Sequence, residues 1–477
     1  MLRQNTNALG IIFPNSYDNT VPELVTERAM ASIPFAGRYR MVDFVLSSMA
    51  NCGISNVSIV VRKNYHSLMD HLGTGREWDM ARRHGGLNIV PPFAEKGVRI
   101  YSGRVEALGS ILSFLEHQKE KYVVMSDANI AVNYDFNALL AAHQASGADV
   151  TVAYQKTEIP EGRKNDNYTL TIDADGRVTE LLFNDYRSGV QNLDLNIYVL
   201  ERETLIKLVK DATARGLIYF ERDILAHNVN ILNIHALEYT GYVAHICDMK
   251  SYFDENLKLI DDRNLEALFP KGSPIYTKIR DDNPTRYVTG SKVVDSILAD
   301  GCVIEGTVEN CVLFRGVKVK KGAVVKNCVL MQDTVVEPNV ELDCVVTGNN
   351  RFDHRLYFII ILTIIDTECP IYSAGSLPAK VRNRTTAERT VRYIHHFIIR
   401  CCQDRMKNLD FLHRTARTLR FDIVTDFEWL EQKNNQSTRK ICQITAQSHT
   451  DSNTCRSKKS SKRSRLYTQS TDNRDDQ

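Results

Sequence analysis

Gly316-Val-Lys-Val-Lys-Lys-Gly-Ala-Val-Val-Lys-Asn-Cys-Val-Leu-Met-Gln-Asp-Thr-Val335 keeps a six-residue rhythm. Val317, Ala323, Val329 and Val335 lie six apart, and so do Val319, Val325 and Met331. An amphipathic helix buries residues three or four apart and a half-buried strand alternates, so neither gives this step. A solenoid with three short strands per turn does, because each strand points two side chains inward and ends in a tight corner. Gly316 and Gly322 are also six apart and fall where such a corner asks for positive φ. The reading is a left-handed parallel β-helix of hexapeptide repeats over 291–347. Its alternative, a set of antiparallel strands, needs no fixed step. Each coil touches only its neighbours, so the last one needs a cap or a partner.

The texture upstream is different. From Ala8 to about Glu255, short β-rich apolar runs alternate with helical segments, as in a parallel sheet covered by helices. Ala8 to Phe13, Val57 to Val61, Tyr122 to Met125 and Val150 to Tyr154 read as strands. Val105, Leu108, Leu112 and Leu115 share one helix face that should cover the sheet. The organisation expected is a first domain over 1–255, a linker over 256–290, the β-helix over 291–347, left incomplete, and an atypical tail over 348–477.

Charge separates the tail from the rest. The whole chain carries 60 basic and 58 acidic side chains, a net of +2, which argues against a nucleic-acid-binding protein. Residues 348–477, however, hold 23 Lys and Arg against 14 Asp and Glu, and the preceding residues hold 37 against 44. An acidic body thus precedes a basic tail with only two glycines, Gly348 and Gly375, and no sustained pattern. The closing basic run, Ser457 to Arg465, reads as a phosphate-binding patch or as a solvated disordered terminus. The vicinal pair Cys401-Cys402 receives no role.

No signal peptide is apparent, and the apolar run Leu356 to Ile365 is half the ~20 residues that span a bilayer. A cytoplasmic protein without membrane contact is expected. The eleven cysteines form no C-x-x-C pair. Cys302, Cys311, Cys328 and Cys344 are irregularly spaced without histidine partners, so they read as small core residues rather than zinc ligands. His66 and His71 read as packing and capping residues.

Several long segments, in order, resemble the bacterial glucose-1-phosphate adenylyltransferase (ADP-glucose pyrophosphorylase) family. They are Thr26 to Phe44 (TERAMASIPFAGRYRMVDF), Asn51 to Asn56, Tyr65 to Leu68, Trp78 to Met80, Gly85 to Pro92, Ser126-Asp127 and Asp248 to Tyr252, followed by the hexapeptide solenoid. The resemblance covers about residues 3–347. It implies an α/β fold, with a Rossmann-like nucleotidyltransferase domain followed by the β-helix, a tetramer, and the conversion of ATP and glucose 1-phosphate to ADP-glucose for glycogen.

The departures from that family matter as much. A triphosphate calls for bare backbone N–H groups on a glycine-rich loop. The family carries a Gly-Gly-x-Gly-x-Arg-Leu type loop, whereas this chain reads Phe13-Pro-Asn-Ser-Tyr-Asp-Asn-Thr20, with Asn15 in place of glycine and a carboxylate at Asp18. Met30 stands where the family's Arg-Ala-Lys-Pro lysine would be, and Asn184 where a lysine would face the sugar phosphate. Of the two carboxylates the resemblance implies for Mg2+, Asp127 is retained, as a relic ligand or a turn residue. The other position falls on His245, with Asp248 within reach of a short register slip.

Each missing part would supply several kcal/mol of transition-state stabilisation, so turnover should fall by many powers of ten. The chain is therefore expected to resemble the GlgD-type regulatory subunits, with no intact catalytic residue and no cofactor bound by this chain. Mg2+ and catalysis would belong to a catalytic partner in a heterotetramer. Arg28, Arg38 and Arg40 lie where the family collects anionic effectors and phosphates, and read as an effector pocket for an anionic small molecule or as surface charge paired with Asp43. The competing readings are an active sugar-nucleotide transferase with a remodelled loop, and a β-helix scaffold or acyltransferase. The β-helix stretch contains no histidine to serve as an acyl-transfer base. The resemblance ends within one residue of Thr347, the mark of a frameshift, a misjoined gene or an assembly error, so residues 348–477 are expected to be frameshift-derived or disordered.

Overall fold

The computed structural model describes residues 6–83, 85–92, 101–159, 168–183 and 187–347. Asn184 and the tail 348–477, with Cys401-Cys402 and the Ser457 to Arg465 run, lie outside the described residues.

A nine-stranded sheet forms the centre of the first part. Its strands are β1 (Ala8–Phe13), β2 (Asn56–Val60), β3 (Gly86–Val90), β4 (Tyr122–Asp127), β5 (Val150–Ile159), β6 (Tyr168–Ile172), β7 (Val178–Phe183), β8 (Gly189–Glu201) and β9 (Ile234–Glu238). The main path runs β7-β6-β8-β4-β1-β2-β3, with β5 also on β8 and β9 on β5. Strand β1 is buried along its whole length, as a strand covered on both faces must be. At Gly10 a Cβ would come within 2.7 Å of Met49 Sδ, so glycine lets α1 (Met41–Asn51) lie directly on β1.

The sheet, expected as parallel and covered by helices, is covered by helices but mixed in strand direction. Strands β1, β2, β3 and β4 are mutually parallel, but β8 runs antiparallel to both β4 and β5. Direction is invisible in an apolar run, since parallel and antiparallel strands bury the same side chains. The predicted helix face is divided into α2 (Arg104–Ser110) and α3 (Leu112–Glu116), with Val105, Leu108 and Leu115 buried and Leu112 half-buried. One core layer packs α1 and α4 (Phe136–Ser146) on the sheet, and the other packs α2, α3 and α5 (Arg202–Ala214) on the opposite face.

Residues 256–290, expected as a linker, carry helix Asp262–Leu268 and an extended run bonded to the first domain. Tyr276 N–H donates to Ser47 Oγ (2.8 Å), and Asn51 Nδ2 donates to Pro274 O (2.9 Å).

The solenoid then rises in three parallel sheets of two- and three-residue strands. Val317, Val319, Ala323 and Val325 are buried inside the solenoid, whereas Val329 and Met331 are buried on its outer face, in the core shared with the first domain. The six-residue rule thus lapses after Val325: Cys328 and Leu330, and then Val336 rather than Val335, join the solenoid interior, with Val336 paired to Val319. Paired residues on successive coils are 15 or 17 apart, as in Val312 to Val329 and Ile297 to Val312, so a coil shorter than eighteen advances the inward position. Gly316 and Gly322 do take positive φ, +73° and +76°. So do Asp295, Asn310, Asn327 and Cys344, which stack at a second corner, where Asn310 Nδ2 donates to Asn327 Oδ1 (2.7 Å) and Asn327 Nδ2 to Asp343 Oδ1 (2.8 Å). Cys302, Cys311 and Cys328 are free thiols buried in the solenoid core, while Cys344 sits half-buried at its corner.

The two parts share a core. Met30, Phe35, Phe44 and Tyr252 pack with Phe314, Val329 and Met331 of the coils, and Tyr252 donates its phenol to Pro34 O (2.7 Å). No helix among the described residues is long and apolar enough to cross a membrane.

Candidate functional site

Strands β1 and β4 end side by side, with Phe13 level with Asp127. The ends of parallel strands in an open α/β sheet form the crevice where ligands bind. Here the segment after β1 fills that crevice with its own side chains. Asn15 is buried, accepts the Arg62 N–H through Oδ1 (2.9 Å), and donates Nδ2 to Asp18 Oδ2 (2.8 Å) and Lys63 O (3.1 Å). Asp18 Oδ1 accepts the Met30 N–H (2.9 Å), so Met30 serves through its backbone while its side chain joins the shared core. Burial raises the Asp18 carboxyl, against the bonds from Asn15 and Met30. Tyr17 reaches across to β8, where its phenol donates to Asn196 Oδ1 (3.1 Å).

Asp127 lies at the centre. Its Oδ1 accepts from Ser16 Oγ (2.7 Å) and its Oδ2 from Arg104 Nη2 (2.6 Å). Arg104 opens α2, is itself buried, and extends Nη1 to Glu221, which a π-helical turn (Phe220–Ala226) delivers from 117 residues away. The guanidinium stacks over the rings of Phe13 (4.8 Å) and Tyr198 (5.6 Å). Burial alone would lower the Arg104 pKa, but Asp127 and Glu221 hold it well above the usual arginine value. Burial pushes Asp127 up to about 6, against the pull of Arg104, so at neutral pH it is largely ionised and paired. Beside it, burial raises Asp194 to about 7, even though its carboxyl accepts from the Tyr198 phenol and the Asn196 N–H (2.7 Å). Arg104 Nε, Asn129 Oδ1 and Asn196 Nδ2 are buried without a hydrogen-bond partner, so the cluster keeps some polar capacity.

His245 enters the same neighbourhood on a two-residue strand paired with Ile130–Ala131. Its Nε2 is 3.0 Å from Asn129 Nδ2, which can only donate, so this nitrogen accepts. Burial pushes the imidazole down to about 4, leaving it neutral where the resemblance implies a metal carboxylate. Asp248 caps helix Met249–Lys258 by accepting the Ser251 N–H (2.6 Å). A divalent cation therefore does not fit this arrangement: both oxygens of Asp127 are engaged, one of them by a fixed positive charge. No group of three or more His, Cys, Asp or Glu among the described residues is placed to hold a metal ion.

The effector candidates point to different neighbours. Arg40 Nη1 donates to Ser67 O (2.6 Å) and Oγ (2.8 Å), and its backbone N–H bonds Asp43 Oδ2 (2.9 Å). Arg38 is exposed and lies 3.9 Å from Asp300 of the solenoid, while Arg28 is half-buried with its charge felt at the Tyr252 phenol. Asp43 pairs with His71 (2.6 Å), a buried structural contact, rather than with an arginine side chain. A cavity of about 320 Å³ lies at the opposite end of β4, beside Lys121, His143 and Glu201, away from this chemistry.

Tyr17, Arg104, Asp194, Asn196 and Glu221 were not legible as site residues. The available signals were a charged residue directly preceding the apolar helix face, Arg104 before Val105, and one acid inside the apolar strand Leu193 to Leu200.

A mixed α/β sheet ending in this buried charge cluster and followed by a hexapeptide β-helix defines a nucleotidyltransferase-type protein with a solenoid domain. The Nucleotidyl transferase family profile matches residues 23–182, and the GlmU-like C-terminal hexapeptide profile matches 279–352. The chain is 33% identical over 322 residues to "Glycogen biosynthesis protein GlgD" of Bacillus subtilis (strain 168), covering 68% of this chain and 83% of that protein. It is 36% identical over 327 residues to the protein of the same name from Geobacillus stearothermophilus, covering 67% and 83%. To the "Glucose-1-phosphate adenylyltransferase" of Geobacillus stearothermophilus it is 28% identical over 323 residues, with the same coverage. The chain belongs to the GlgD family, related to the glucose-1-phosphate adenylyltransferases.

Proposed function

We propose that this chain is a regulatory subunit, with little or no catalysis of its own, of a cytoplasmic glucose-1-phosphate adenylyltransferase in glycogen biosynthesis. Its partner is a catalytic paralogue that binds Mg2+ and converts ATP and glucose 1-phosphate to ADP-glucose and diphosphate, the two together forming a heterotetramer. The observation that carries the reading is the closed strand-end crevice, where Arg104 occupies Asp127 and Asn15 and Asp18 bond each other where a triphosphate would need open backbone donors. The similarity to a glycogen biosynthesis protein and to a glucose-1-phosphate adenylyltransferase supports the pathway. Arg28, Arg38 and Arg40 are the residues through which an anionic effector would act on the assembly.

The purified chain is expected to give no ADP-glucose with Mg2+-ATP and glucose 1-phosphate, and to change the rate or effector response of a catalytic paralogue when mixed with it. Activity of the chain alone, well above an Asp127→Asn preparation, would overturn the reading. The frameshift origin of 348–477 belongs to the same proposal. Translating the other two frames of the DNA should continue the hexapeptide rhythm past Thr347, and failure in both frames would make the tail a genuine extension.

A further inference from the structure

We propose that Arg104 is a built-in counter-ion: its guanidinium bridges the carboxylates of Asp127 and Glu221 and takes the place of a divalent cation, so this site keeps its shape without metal or nucleotide. The inference rests on the reading that this chain's own site is not the working one, and adds what holds it closed.

The geometry is that of a clamp. Two carboxylates from distant parts of the chain, one at the end of β4 and one on a π-helical turn, meet on the two terminal nitrogens of one side chain. All three side chains are more than nine-tenths buried, at 7%, 1% and 8% exposure for Arg104, Asp127 and Glu221. Two buried carboxylates converging in this way need a positive charge between them, and a guanidinium supplies one in a fixed fork that does not titrate. Ser16 takes the remaining Asp127 oxygen, and the Phe13 and Tyr198 rings lie against the guanidinium. π-helical turns are rare and concentrate at functional sites, so the delivery of Glu221 by one marks the clamp as more than incidental packing. A cation entering here would meet the guanidinium's own charge and would have to displace it.

Mn2+ titration of the full chain, followed by electron paramagnetic resonance, tests this without any assay of turnover. The wild-type chain should show no saturable Mn2+ site. Arg104→Met should leave the two acids facing each other, lower the Tm by about 10 °C, and create one saturable Mn2+ site that is lost again in the Arg104→Met/Asp127→Asn double variant. Arg104→Lys keeps the charge but cannot span two carboxylates, so it should fold and melt below the wild type. Three results would overturn the proposal: a wild-type Mn2+ site that Asp127→Asn removes, a folded Arg104→Met chain with no Mn2+ site, or Arg104→Lys melting with the wild type. A chain that is inactive alone yet binds Mn2+ through Asp127 would remove the counter-ion and leave the subunit reading standing. A chain that makes ADP-glucose unaided would remove that reading whatever the Mn2+ result.

Discussion

In the solenoid, polar side chains stack from one coil to the next, Asn310 on Asn327 and Asn327 on Asp343, whereas at the end of β1 they turn inward on one another, Asn15 on Asp18, Ser16 on Asp127 and Tyr17 on Asn196. The first arrangement repeats, so each bond supports a corner that the next coil uses again. The second occurs once, and it fills a crevice that nucleotide chemistry would need open. The solenoid therefore follows the general rules of its architecture, and the strand-end cluster sets those rules aside for a particular purpose.

The contrast can be broken most severely inside the solenoid. Val325→Asp puts an unpaired charge among fully buried coil residues and should destabilise by about 4 kcal/mol or more, read by urea unfolding. A separate early transition would show that the coils unfold alone; a shift of the whole curve would show that the shared core binds the two parts into one cooperative unit.

A smaller effect separates corner conformation from corner bonding. Asn327→Ala loses two hydrogen bonds and must hold φ near +48°, so a loss of roughly 2 kcal/mol is expected. Asn327→Gly keeps the conformation at no steric cost and should lose about half as much. Equal losses in denaturant titrations would assign the whole effect to the ladder.

The smallest expected effect belongs to the strand-end cluster and depends on pH. Asp194 is raised by burial to about 7, so between its unfolded value and that pH the folded chain holds a proton that the unfolded chain releases. Its contribution to stability is therefore present below that range and declines as pH rises through 7. His245, lowered to about 4, acts oppositely and only up to its unfolded value near 6.5. From about pH 6.5 to 8 the Asp194 term should account for a fall of roughly 1 kcal/mol. Asp194→Asn should flatten that slope in thermal melts, and an unchanged slope would place the titration elsewhere.

What the sequence made legible follows the same division. Strand β1, the helix face through Val105 and Leu108, and the coils through Val325 all announce themselves by period. The 15- and 17-residue coils did not, because their corners rest on Asp295, Asn310 and Asn327, polar residues that look like any others until φ is known. The antiparallel course of β8 was hidden because burial does not encode direction. Asp127 was found through resemblance, and Asn15, Met30 and His245 as departures from it. Arg104 was missed because an arginine opening a helix ordinarily lies in solvent, and its partner Glu221 stands 117 residues away. Arg28, Arg38 and Arg40, which read as an effector pocket or as surface charge, have separate neighbours, Arg38 near Asp300 of the solenoid and Arg40 on Ser67.

The segment from Met30 to Phe44 has a mechanical consequence. Its apolar side chains are wedged between the coils and helix Met249–Lys258, while the Met30 N–H at its start holds Asp18. Close-packed interiors transmit displacement rather than absorb it. The coils therefore bear on a short hairpin, Pro34–Phe35 against Tyr39–Arg40, whose incoming end is the residue that holds the loop after β1, so the solenoid and that loop are two contacts of one small element.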